Sequence, residues 1–388
     1  MNLERARWLT SPAGREALAS LPAGRPLASA TRLVDELRRS FPPAEAGALA
    51  EQLTLRARAV RNHGEHRDFL FTPQGLEMMS HPLVAERRAA RLAASEHVVV
   101  DLTAGVGGDL YAVARQEVEC AGMDQDPVHA LLAAANTGVP MVRGNAERAP
   151  FDVSKLAVVI DPSRRRGDLR HFDPAAFAPR WDEAVAVAAS AAVAVLKAPP
   201  GLDASYIPPD TELEAVQLAR SMREVAIWFG QGTRPGLRRA VLLPAGETME
   251  SDEAEATDRP GPPAAFLFDP ESCVTRATLV RQLARRLGAW LLDPHIAYLA
   301  GDRAAFSPFA ATFEVLDTLP FSVSRLKQRL REAKWRPDEI RRRAFPVEPD
   351  ELRKLLGRLQ GDAVTLVCTT IGHERTVFIC RRLFAPAP

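Results

Sequence analysis

The chain has 388 residues, 46% of them hydrophobic and 26% charged, and a formal net charge of +1, which is the profile of an ordinary globular protein and excludes a chain that is basic throughout. No apolar run reaches the roughly eighteen residues of a membrane span, and the N-terminal "MNLERARWLT" lacks a secretory apolar core. The four cysteines, at 120, 273, 368 and 380, show neither metal-ligand spacing nor a disulfide framework, so a cytoplasmic chain with reduced thiols and no metal is expected.

Residues 1–95 are rich in Ala, Leu and Arg and carry helix punctuation without strand-like runs. In "TSPAGREALAS", Ser11 reads as an N-cap with Pro12 at the first helical position. "SATRLVDELRRS", "PPAEAGALAEQLTLRARAVR" and "PLVAERRAARLAA" repeat apolar residues at helical spacing, which predicts a helical N-terminal domain. The period changes at residue 97. "HVVVDLTAGVGGDLYAVARQ" and "VECAGMDQDPVHALLAAANT" each read as strand, turn and helix. "LAVVIDP", "VAVLKAPPG", "EVAIWFG" and "RRAVLLP" add strands around a helix at "WDEAVAVAASAA". Strands alternating with helices predict a parallel, doubly wound, Rossmann-like α/β sheet over residues 96–245. Residues 246–263 are acidic and rich in Pro and Gly, an expected linker or exposed loop, and 264–310 read as a helical connector around "ESCVTRATLVRQLARRLGAW". Residues 311–388 read as a small α+β domain in the order β-α-β-α-β-β.

The turn "VVVDLTAGVGGD" puts Asp101 at a strand end and Gly105, Gly107 and Gly108 in the turn after it, where glycines let backbone approach a ligand. A dinucleotide fingerprint needs a glycine where Leu110 stands, so that pattern fails. An acid four residues ahead of the first glycine instead suits the α-ammonium of S-adenosylmethionine. Asp124 follows Gly105 by nineteen residues, at the end of the next strand, where a carboxylate accepts both ribose hydroxyls. Asp126 is placed to cap the following helix. Thr103 and Gln125, beside these two acids, are counted with the cofactor site. Asn145 stands where the third strand should end, and it is counted with the cofactor site by its resemblance to the Asp that many methyltransferases carry there for the adenine amino group, its amide oxygen being able to accept in the same way.

In "VVIDPSRRRG" an apolar strand stops at Pro162, leaving Asp161 at its carboxyl end, followed by Arg164, Arg165 and Arg166. This pattern resembles class I S-adenosylmethionine-dependent methyltransferases, whose amine-directed members carry Asn/Asp-Pro-Pro-aromatic in motif IV. The resemblance implies that Asp161 and the Pro162 carbonyl orient a target amine. Ser163 and Arg164 depart from it, and a guanidinium plane at Arg164 can stack on a base in place of the aromatic ring. "FLFTPQGLEMM", "DLTAGVGGDLYAVA" and "DPSRRRG" are similar, more distantly, to the order of motifs in trimethylguanosine synthase-like enzymes. The nearer likeness is to a bacterial methyltransferase family with a C-terminal THUMP-like domain. Its "FT-x-x-GLE", "DP-[AS]-RR" and "LDP-x-IAYL" are matched at Phe71–Glu77, Asp161–Arg165 and Leu292–Leu299, and the likeness runs from about residue 45 to the end. It implies a class I methyltransferase sheet, S-adenosyl-L-methionine as cofactor, and RNA as partner through a THUMP-like domain at 311–388.

Substrate-binding candidates follow, each with a plainer alternative. Arg164 and Arg165 suit bidentate phosphate contacts beside Asp161, or belong to a solvated loop paired with Asp168 and Asp173. Lys197 ends the fifth strand facing substrate, or snorkels to solvent. Phe71 and Thr72 cover the pocket, or simply start a helix with Thr72 as cap. Between Arg325 and Arg358 twelve Lys/Arg stand against six Asp/Glu, with Trp335 among them, so Lys327 and Arg341 are expected on a phosphate-binding face, the alternative being a soluble surface. The expectation is an enzyme that methylates a base amino group of guanine type in structured RNA such as tRNA or rRNA. The alternatives are a methyltransferase for a small anionic metabolite and a non-catalytic RNA-binding protein with the same fold.

Overall fold

The computed structural model describes residues 1–21, 30–64, 66, 68–166, 169–171, 173–252 and 260–385. The chain forms two compact units, one of residues 1–213 with 223–236, the other of residues 214–222 with 237–388. Among the described residues no helix is long and apolar enough to cross a membrane.

The first unit begins with α1 (Leu3–Thr10), α2 (Pro12–Ser20), α3 (Ala30–Leu37), α4 (Pro43–His63), α5 (Pro73–Met78) and α6 (Pro82–Ala93). Ser11 caps α2 by accepting from the Gly14 N–H, as its sequence predicts. A side chain at Gly14 would lie 2.1 Å from the Trp8 carbonyl oxygen, so only glycine lets α2 turn back against α1. The apolar stripes of α1, α2 and α4 pack in one core with Phe69, Phe71, Leu76, Val106, Val128 and Leu132. That shared core is why the expected boundary at residue 95 separates nothing: the N-terminal helices bury their faces on the layer that follows.

The layer alternates β1 (Val99–Asp101), α7 (Gly108–Ala114), β2 (Cys120–Asp124), α8 (Pro127–Thr137), β3 (Met141–Arg143) and β4 (Ala157–Ile160). The short pair β5 (Arg165–Arg166) and β6 (Leu169–Arg170) comes next, then α9 (Trp181–Ser190), β7 (Val193–Ala198), β8 (Glu212–Leu218), of which all but the first two residues belong to the second unit, and β9 (Ser221–Gly230). Strands of the first unit lie in the order β3-β2-β1-β4-β7-β9. All neighbours are parallel until β9, which runs antiparallel to β7. β1, β4 and β7 are buried along their whole length, matching their unbroken apolar sequence. β8 is also fully buried although it reads "ELEAVQL". Its first glutamate, Glu212, is neutralised by the Arg91 fork at 2.6 and 2.8 Å.

The second unit contains β10 (Arg238–Leu243) and β11 (Glu247–Glu250), then β12 (Phe266–Pro270), α10 (Ser272–Arg276), α11 (Val280–Leu287), β13 (Trp290–Asp293) and β14 (Ile296–Gly301). It ends with β15 (Ala310–Pro320), α12 (Val323–Glu332), β16 (Trp335–Arg342), α13 (Pro349–Leu356), β17 (Asp362–Ile371) and β18 (Glu374–Leu383). The last six elements follow the expected β-α-β-α-β-β order, and α12 and α13 bury Leu326, Leu330, Leu352 and Leu356 against the sheet.

Two expectations are corrected. Residues 264–310 are no helical connector: besides α10 and α11 they hold β12, β13 and β14, which extend the C-terminal sheet to seven strands in the order β13-β14-β12-β15-β18-β17-β16. Leu267, Tyr298 and Phe313 share its core. The stretch 246–263 is no plain linker either, because Glu247–Glu250 pairs antiparallel with β10 and buries Met249, while 253–259 lie outside the described residues.

Candidate active site

Three strand ends of the first unit open on one cavity of about 180 Å³. β1 leads into the glycine turn, β2 ends in Asp124, and β4 runs into Asp161. Gly105 and Gly107 have φ of +55° and +93°, a left-handed backbone that favours glycine. The turn is held from the next strand: Asp124 Oδ2 accepts the Gly105 N–H at 2.8 Å, and its Oδ1 accepts the Asp126 N–H at the same distance. Burial pushes the Asp124 carboxyl up, opposed by these N–H groups and by His129. Asp126 caps α8 through the Val128 N–H, as its sequence predicts.

β1 and β4 are cross-tied at their ends. The Asp161 N–H donates to Thr103 Oγ1 at 2.7 Å. Beyond Pro162, Ser163 pairs with Ala178 through two backbone hydrogen bonds of 2.8 and 2.9 Å, which brings Ala178 and Pro179 to the cavity wall. α5 forms the opposite wall with Gln74, Gly75 and Met78.

Under the cavity lies a buried chain of ions. Lys197 Nζ donates to Asp161 Oδ2 at 2.5 Å, Ser80 Oγ at 2.9 Å and Asp109 Oδ2 at 3.1 Å. Asp109 also binds Arg88, and Arg88 binds Glu224. Burial alone would lower the Lys197 ammonium, but Asp109 and Asp161 more than reverse it and hold it above its ordinary range. Burial likewise disfavours ionised Asp109, and Arg88 and Lys197 hold its carboxyl well below the usual range. Asp101 is different. Burial, with the charge of Asp109, pushes it up to about 8.

A family model described as THUMP domain-like matches residues 310–382, and one described as a domain of unknown function (DUF8688) matches residues 2–59. An uncharacterized S-adenosylmethionine-dependent methyltransferase of Mycobacterium tuberculosis, found in two strains, is 34% identical over 351 residues, covering 86% of this chain and 96% of that protein. The chain belongs to the S-adenosylmethionine-dependent methyltransferases. A crystal structure of a Porphyromonas gingivalis W83 protein assigned as a methyltransferase superposes with a TM-score of 0.70 at 21% identity, covering 98% of each chain, so the fold is shared along the whole length.

The cavity carries acceptors that the cofactor of a methyltransferase can use: each Asp124 oxygen has spent one lone pair on backbone, leaving capacity toward the cavity. Thr103, Gly105, Gly108, Asp124, Gln125, Asn145 and Asp161 all line it. Gly107 is set back from the lining, and a side chain there would lie 2.8 Å from Thr137 Cγ2 of α8. Asn145 Oδ1 already accepts the Glu147 N–H at 3.2 Å. Asp101 sits behind the wall at 2% exposure, accepting the Thr103 N–H at 3.0 Å.

The expected substrate residues fare less well. Phe71 belongs to the core at 0% exposure, with both backbone groups bound to Gln52, so it covers no pocket. Thr72 caps α5 and meets His129 Nε2 at 3.0 Å, outside the cavity lining. Lys197 faces neither solvent nor an open substrate site, because its ammonium is enclosed by the three partners above. Pro162 is buried and Arg164 half-buried, both outside the lining. The backbone of Arg165–Arg166 pairs with Leu169–Arg170, whereas the side chains of Arg165 and Arg166, and all of Asp168, lie outside the described residues. Asp173 caps a single turn through the Ala175 N–H.

In the second unit Arg341 is not on a free face. It binds Asp269 at 2.6 Å and Glu339 at 2.9 Å and lies over the Phe313 ring, which fixes it as part of the fold. Trp335 is packed under Arg329, its ring centroid 4.9 Å from the guanidinium. Lys327 lies on α12 with Ser324, Gln328 and Arg331, with no ionic partner among the described residues.

Sequence reasoning missed Ser80, Arg88, Asp109 and Glu224. A signal for Arg88 was present: on α6 it shares the buried face with Val84, Ala85, Ala89 and Leu92. An arginine on an apolar stripe needs a buried carboxylate.

Proposed function

We propose that this methyltransferase N-methylates a base amino group in structured RNA, with Asp161 and the Pro162 carbonyl as the groups that orient the acceptor nitrogen. The observation that carries the reading is the state of Asp161: at the cavity, partly exposed, its backbone tied to Thr103 and one carboxylate oxygen bound by Lys197, the other left to accept from an amine. An N–H held on that oxygen aims the nitrogen lone pair into the cavity, and such positioning contributes on the order of 7–11 kcal/mol to a barrier. Bound S-adenosylmethionine supplies the methyl group on a sulfonium, so that the C–N bond forms as the C–S bond breaks, S-adenosylhomocysteine leaves and the amine proton passes to water. Asp124 holds the ribose hydroxyls and the glycine turn admits the methionine end, in this reading.

The THUMP domain-like match at 310–382 and the cationic face of α12 at Lys327 and Arg331 support RNA as the substrate. The test is label transfer from tritiated S-adenosylmethionine into unmodified total RNA by wild type and Asp161→Asn. Label with wild type, cut at least roughly 100-fold by the variant while S-adenosylhomocysteine still binds, is the expected result. Absence of RNA label, with label appearing in a metabolite extract instead, overturns the RNA reading. Undiminished labelling by the variant overturns the role of Asp161.

A further inference from the structure

A lysine ammonium has three N–H donors and no acceptor. At Lys197 all three are used: Asp161 Oδ2 at 2.5 Å, Ser80 Oγ at 2.9 Å and Asp109 Oδ2 at 3.1 Å. The group is 8% exposed and sits in β7, a strand otherwise wholly apolar. Its three partners come from three different places, the loop before α6, the first turn of α7 and the loop after β4. Ser80 also donates to Asp109 Oδ2 at 3.1 Å, so two of the three legs brace each other. Asp109 is anchored by Arg88 of α6, and Arg88 by Glu224 of β9. The arrangement is a tripod whose three feet, Asp161, Ser80 and Asp109, all line the cavity, with Ser80 and Asp109 held in addition by Arg88.

The geometry points to Lys197 as a positioning residue for methyl transfer, one that clamps a single Asp161 oxygen so that the other is presented to the acceptor amine, with Ser80 and Asp109 fixing the direction of the clamp. This inference rests on the reading of Asp161 given above. Without the clamp the Asp161 side chain turns about its χ angles, and both oxygens compete for the amine and for water. Lys197 touches neither substrate nor cofactor; it acts through Asp161.

The test uses the full chain with S-adenosylmethionine and unmodified total RNA as probe. Lys197→Met is expected to lower kcat roughly 10- to 100-fold, with KM for S-adenosylmethionine and the affinity for S-adenosylhomocysteine changed less than about threefold. Ser80→Ala, which removes one leg and leaves every charge in place, keeps the test open should Lys197→Met fail to fold, and is expected to lower kcat by about threefold to tenfold. Lys197→Arg restores part of what methionine loses. In an Asp161→Asn background Lys197→Met is expected to cost nothing more, because the oxygen it orients has already lost its charge. A loss that multiplies in that background means a purely structural lysine and overturns the inference, as does full kcat in both single variants.

A second readout needs no substrate. An ammonium enclosed by three acceptors exchanges slowly with water, so Lys197 is expected to give an observable Nζ resonance in the ligand-free protein. That resonance vanishes in Lys197→Met and moves in Asp161→Asn. If RNA labelling or the role of Asp161 fails in its own test, this resonance still decides the clamp: an unmoved signal in Asp161→Asn overturns it.

Discussion

At the scale of single residues, the three strand-end acids have distinct environments and therefore distinct tests. Asp124 holds backbone N–H groups on both oxygens and lines the cavity. Asp124→Ala removes charge-assisted hydrogen bonding worth about 1.5–3 kcal/mol, so S-adenosylhomocysteine affinity should fall by roughly 10- to 100-fold in calorimetric titration. Asp101 is buried behind the wall and pushed up to about 8. Its folded value lies above its unfolded value near 3.8, so the native state binds the extra proton between these limits. The stabilising effect of that proton is full below the unfolded value and lost as pH rises toward 8, on the order of 1 kcal/mol per pH unit. Thermal melts of the cofactor-free protein from pH 5 to pH 8 should show a decline that is shallower in Asp101→Asn. Much of this site was legible as residue types: strand-end acids and the glycine turn announce themselves by position. What they touch was not, because Asp109 reads as an ordinary acid in a first helical turn and Lys197 as a lysine at a strand end. Their meeting depends on the crossover that brings α7 and β7 together.

At the scale of elements, α5 and the Met79 that follows it are locked onto the glycine turn by two glycines, one from each side. A side chain at Gly75 would lie 2.3 Å from Val106 Cγ1, and one at Gly108 would lie 2.5 Å from Met79 Cγ. Gly75→Ala therefore pushes the helix off the turn. We expect a destabilisation of about 1–3 kcal/mol, measured by thermal denaturation, together with weaker S-adenosylhomocysteine binding. Elements with a clean period were readable, which is why the strand-turn-helix units from residue 97 onward and the final β-α-β-α-β-β run agree with the structure. Those missed carry mixed signals. β8 hides two glutamates in a fully buried strand, and β12, β13 and β14 are short apolar runs on either side of a strongly helical stretch, where length and period alone cannot separate strand from buried helix.

At the scale of the whole molecule, the C-terminal sheet runs across the boundary expected at residue 310. β15 pairs with β12 over five residues, from Phe266 opposite Glu314 to Pro270 opposite Ala310. Deleting 311–388 thus does not release a module. It strips a partner strand from β12 and uncovers Leu267, so the truncated chain should aggregate, as light scattering or gel filtration would show. The basic stretch also changes meaning at this scale. Arg329, Arg336, Arg341, Arg342, Arg343 and Arg353 are bound to carboxylates or carbonyls of the same unit, which removes much of the apparent positive face. Charge counts along a sequence cannot register such internal pairing. RNA affinity should instead track Lys327 and Arg331. Reversing both to Glu should lower the slope of log affinity against log salt by roughly 2, since each phosphate no longer neutralised takes away about 0.9, as filter binding across a salt series would measure.

The line of ions from Asp161 through Lys197, Asp109 and Arg88 to Glu224 has a consequence for descent. Replacing any one member leaves a buried partner with an unmatched charge, and such a change costs more than removing the pair together. The five positions are therefore one inherited character: relatives should keep them all, or exchange them in concert for neutral groups, and a lineage holding only some of them should carry a compensating charge at the same depth.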